Sequence, residues 1–150
     1  MNTLHTLLQQ AEGQRDQALA ALQRAEELAR RAQAQAEQLA GYRGEYRQRW
    51  SQQFSRQGTM DIVHCYQSFT QRLDEAIQQQ NQQAAHTEAQ VGQLRQQLVA
   101  AEMRVAAVKK LIERRTHEHR RHAERREQRQ TDETAQQLRW RQQRTEPAQH

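Results

Sequence analysis

The feature that most constrains this chain is a pair of heptad seams separated by one break. Counting in sevens from Leu4 lands on Ala11, Ala18, Ala25, Ala32, Leu39 and Tyr46, with Leu7, Ala21, Leu28 and Tyr42 interleaved. The second half repeats the pattern through Ile77, Ala84, Val91, Leu98, Val105 and Ile112. Tyr66, Leu73, Leu94, Ala101 and Val108 interleave, and Gln80 and Thr87 interrupt. A 3.5-residue apolar period sustained over so many repeats specifies long helices that bury one narrow stripe against a partner helix.

Between the seams lies Ser55-Arg56-Gln57-Gly58-Thr59-Met60-Asp61. Glycine can take the left-handed conformation that ends a helix, threonine can cap the next, and an acid suits the first turn. The turn is therefore expected near 56–60. Folding the seams together about it pairs residues whose numbers sum to roughly 116. This sets Tyr46 by Thr70, Tyr42 by Leu73, Leu39 by Ile77 and Leu4 by Ile112. The apolar pattern of the second helix fades after Ile112, where the first has no more residues to offer. Two independent features thus agree on an intramolecular hairpin, whose arms would be on the order of 75 to 80 Å long.

The expected fold is all-α, a long two-helix antiparallel coiled-coil hairpin over 1–112 with a basic C-terminal extension over 113–150. The extension is expected to be either an overhanging helix or disordered. Hydrophobic residues make up 35% and aromatic residues 5% of the 150 positions, too little for a thick core and compatible with a rod. The net charge of +5 suits acidic partners. The lone Cys65 excludes an internal disulfide and is expected to be a small packing residue. The first residues lack a basic stretch followed by an apolar one, so no secretory signal is expected, and no segment is apolar enough to span a bilayer. A cytoplasmic protein is expected.

Motifs for chemistry are missing. There is no Gly-rich phosphate loop and no Walker pattern, so an ATPase is excluded, and neither a catalytic residue nor a cofactor is expected. The run His117-Glu118-His119-Arg120-Arg121-His122 has arginine where a zinc-protease helix requires its second histidine. His119 and His122 could share a face, but the flanking arginines would repel a metal ion. From Lys109 to Arg129 cations outnumber acids and fall largely on the unpaired segment, free to reach an acidic surface.

Tyr42, Tyr46, Trp50 and Phe54 step along one stripe before the turn, and Tyr66 and Phe69 face them. Rings of this size cannot be fully covered by two helices. They should leave an exposed strip suited to docking, with Gly41 and Gly44 beside it allowing another backbone to come close.

The segment from Leu39 to Arg47, with Gly41, Tyr42, Gly44 and Tyr46, is followed after the turn by Tyr66-Gln67-Ser68-Phe69 and Leu73-Asp74-Glu75-Ala76-Ile77. Together with the length and two-helix layout, this pattern resembles the FliJ family of the flagellar type III export apparatus, also called FliJ/YscO-like coiled coils. The resemblance implies a non-enzymatic, rotor-like adaptor coupling an export ATPase ring (FliI-like hexamer) to the cytoplasmic domain of an export gate (FlhA-like). Export chaperones would be further candidate partners. The protein would sit peripherally at the cytoplasmic face of the inner membrane. The resemblance also implies that Gln35, Leu39, Tyr42, Tyr46, Phe69, Leu73, Ala76 and Gln80 form the gate-docking strip. Charge complementarity and the rotor-like resemblance together assign Arg15, Arg24, Lys109, Lys110, Arg114 and Arg115 to the ATPase ring.

Two other functions fit a basic coiled coil. One is nucleic-acid binding, with affinity that falls steeply with salt. It is disfavoured because interleaved aromatics and a symmetric reading helix are lacking. The other is a structural oligomer in which the same seams pair between chains.

Overall fold

The computed structural model describes residues 2–54 and 58–145. Helix α1 runs from Asn2 to Phe54 and helix α2 from Met60 to Thr145, packed against each other as an antiparallel hairpin. Of the expected turn, residues 55–57 lie outside the described residues, as do Glu146 and Pro147 beyond the end of α2. At the start of α2 the Val63 N–H donates to the Thr59 carbonyl at 3.2 Å, the first bond of the helix, and Asp61 occupies the first turn. Thr59 thus stands at the capping position.

The second-helix seam is as the sequence predicts. Leu73, Val91, Ala101 and Val105 are buried, and Ile77, Leu94, Leu98, Val108 and Ile112 are half-buried. The two polar interruptions lie on the same seam and are satisfied there. Gln80 Nε2 donates to the Ala32 carbonyl at 3.3 Å and to Gln35 Oε1 at 3.0 Å, while Thr87 Oγ1 donates to the Ala84 carbonyl at 2.9 Å. A polar group in such a seam favours one register over others.

The first-helix seam needs a correction. Its heptad row from Leu4 is inward, but the interleaved row is not the expected one, since of Leu7, Ala21, Leu28 and Tyr42 only Ala21 is half-buried and the others are exposed. The interleaved row is Leu8, Leu22, Ala29, Ala36, Arg43 and Trp50, one residue further along. Leu7, Leu28 and Tyr42 are 45%, 54% and 51% exposed. Alanine recurs on several faces of α1, so its apolar pattern fits a three- or a four-residue step from Leu4 equally well; only α2 selects the second.

The core is thin. Leu22, Ala25, Ala29 and Val91 form its centre, with Leu94 and Leu98 packed on it, and no described side chain is completely buried. Small alanines let the axes approach but remove little apolar area from water per layer. Cys65 is exposed, contrary to the expected packing role.

Beyond Ile112 the second helix continues to Thr145 as an overhang of about 50 Å at 1.5 Å per residue. Of the two expected states it is the helical one, and all of residues 117–145 are exposed.

The register gives a direct test. Leu39→Cys with Ile77→Cys, in a Cys65→Ser background, should oxidise to a disulfide within one chain, seen as a fast-migrating monomer after denaturation. Disulfides formed only between chains would contradict the hairpin.

Candidate docking sites

Near the turn the seam widens to hold aromatic rings. Tyr46 is their hub, with ring centroids at 4.4 Å from Phe69, 5.8 Å from Trp50, 5.9 Å from Tyr66 and 6.4 Å from Tyr42. Trp50 and Tyr66 close the cluster at 5.1 Å. Tilted and stacked rings at these separations attract beyond their buried area. The side chain of Phe54, expected in the same stripe, lies outside the described residues.

The cluster is clamped on one edge by an ion pair that sequence reading missed. The Arg43 guanidinium donates through Nε to Asp74 Oδ1 and through its terminal amine to Asp74 Oδ2, the latter at 3.3 Å. The hydrogen bond to Asp74, and then its charge, raise the Arg43 pKa above its ordinary value. The clue in the sequence was that these two positions are mirror-related about the turn. Between them and the aromatics, Arg43, Arg47, Tyr46, Tyr66, Thr70 and Leu73 line a small cavity, in which Thr70 Oγ1 is buried without a hydrogen-bond partner.

The eight residues expected in the gate-docking strip come in two sets of four with identical spacing, and antiparallel packing lays them side by side. Gln35, Leu39, Tyr42 and Gln80, with Gln38, line one open groove, and Tyr46 meets Phe69 above it. Exposure divides the strip. Tyr42, Phe69 and Gln35 are exposed, Leu39, Tyr46, Ala76 and Gln80 half-buried, and Leu73 buried at 8%, so Leu73 serves the core. Gly41 and Gly44 are exposed, and a Cβ added at either would meet no atom within 4 Å. The surface there is open to a close-lying backbone.

The six expected ring-binding cations are less unified. Lys109, Lys110, Arg114 and Arg115 are exposed together where the hairpin gives way to the overhang. Arg15 turns onto the seam and pairs with Asp16 at 3.1 Å. Arg24 is exposed, but about 33 Å along α1 from Asn2 at 1.5 Å per residue, well inside the paired region. Among the described residues no group of three metal-ligating side chains exists, and no helix is long and apolar enough to cross a membrane.

Two helices packed through one thin seam, with an aromatic strip near the turn and a cationic overhang, define an elongated coiled-coil protein. The chain belongs to the FliJ family: the model of the flagellar FliJ protein matches residues 1–144. Comparison with curated proteins and with solved structures gives no match. Membership makes the chain a coiled-coil component of flagellar protein export.

Proposed function

We propose that this chain is a non-enzymatic, cytoplasmic adaptor that couples an export ATPase ring to the export gate, held at the inner membrane through those partners. The observation that carries the reading is the separation of two unlike surfaces on one rod. The aromatic strip formed by Gln35, Leu39, Tyr42, Tyr46, Phe69, Leu73, Ala76 and Gln80 flanks the turn. The cations Lys109, Lys110, Arg114 and Arg115 stand at the other end of the paired region. Interface centres favour Tyr and Phe anchors, so the strip suits the gate domain. The cationic end, with Arg15 and Arg24 as outlying contributors, suits an acidic ring. On this reading 1–112 is the rigid spacer and 113–150 a separate basic extension. Export chaperones would be further partners.

The reading excludes direct work on nucleic acid. Co-sedimentation with an export ATPase ring and with a gate cytoplasmic domain, separately and together, tests it.

A further inference from the structure

The heptad seam of α2 does not stop where α1 ends. Continued past Ile112 at the same alternating spacing, it falls on Arg115, His119, His122, Arg126 and Arg129. These five share one face of the helix, because steps of four and three residues keep side chains in a single stripe. All are exposed, and none is in an ion pair among the described residues. Between Ile112 and Arg129 the acids Glu113, Glu118, Glu124 and Glu127 fall off this stripe, which meets its first acid at Glu133. The stripe that is apolar inside the hairpin therefore becomes a row of arginines and histidines with no acid among them.

We propose that this row is a recognition strip for an acidic amphipathic helix of a partner protein, one that continues the coiled coil with carboxylates at heptad spacing. A second copy of this chain is a poor occupant, since like charges would face each other along the seam. A membrane surface fits badly, because a helix lying in the interface needs an apolar face, and residues 113–137 offer only Ala123 and Ala135. A nucleic-acid duplex is disfavoured because residues 113–137 carry no aromatic interleaved with the cations. Arginine suits the role because its planar fork grips a carboxylate through two hydrogen bonds.

The test is fluorescence anisotropy of the full chain with a labelled synthetic helix carrying Glu at heptad positions. A peptide of the same composition in scrambled order, a DNA duplex and anionic phosphatidylserine vesicles serve as competitors. Arg126→Gln with Arg129→Gln should weaken the heptad peptide by about tenfold, whereas Arg120→Gln with Arg121→Gln, an equal loss of charge off the stripe, should weaken it by less than about threefold. Arg and Gln have similar helix propensity, and circular dichroism of each variant checks that the helix is kept. Equal binding of the scrambled peptide, equal losses in the two arginine variants, or tighter binding of DNA or vesicles would each overturn the proposal. Arg115 belongs to both surfaces, but the tested residues lie beyond it, so either result leaves the assignment of the ATPase ring standing.

Discussion

Reversing Lys109, Lys110, Arg114 and Arg115 to Glu should abolish binding to the export ATPase ring while leaving binding to the gate domain unchanged. The four cations are exposed on consecutive turns of α2, and none is paired among the described residues, so nothing in the hairpin depends on them. The change takes the net charge from +5 to about −3. It converts an attraction for an acidic surface into a repulsion. Glu is as good a helix former as Lys or Arg, so the rod should persist. Surface electrostatics is screened within about 8 to 10 Å in ordinary salt, so wild-type ring binding should itself weaken as salt is raised. Sedimentation of the variant with the ring at low and physiological salt reads the effect directly. Unchanged ring binding would remove these residues from the interface.

Tyr42→Ala and Tyr46→Ala should part company. Tyr42 is 51% exposed and, among the described residues, its ring meets only that of Tyr46, so its removal should leave the melting temperature nearly unchanged. If it anchors the gate domain, truncation should cost about 2 kcal/mol, roughly a thirtyfold loss of affinity. Tyr46 touches four rings, and removing it should cost both gate affinity and about 2 kcal/mol of stability. Thermal melts by circular dichroism and gate titrations on both variants separate docking from packing. Should Tyr42→Ala bind the gate like wild type, the strip is packing and the docking assignment fails.

Much of the architecture was legible because it is one-dimensional. The row through Ile77, Val91, Leu98 and Val105 is built of branched apolar residues on a polar background, and its spacing allows only one inward face. The first helix hid half of its seam for the opposite reason. Ala29 and Ala36 are indistinguishable by composition from exposed alanines, and Arg43 looks like a surface cation until Asp74 is seen across from it. That Ala36 is buried and Arg43 half-buried, with Tyr42 and Leu28 exposed, is a property of the pair of helices and not of α1 alone. The same applies to the docking strip. Its aromatic content is visible in the sequence, but its division into a core residue, Leu73, and accessible ones, Tyr42 and Phe69, needs the packing. Helix formation in the overhang is not legible in the sequence because no apolar stripe there signals a packed face.

The central claim is that one rod engages both partners at once through its two distinct surfaces. Analytical ultracentrifugation of the chain with the ATPase ring and the gate domain tests it most directly. The account predicts a ternary species in which the gate domain co-sediments with the ring only when the chain is present, lost on Tyr42→Ala and, separately, on the fourfold charge reversal. Gate and ring competing for the chain, with two binary complexes and no ternary one, would contradict it.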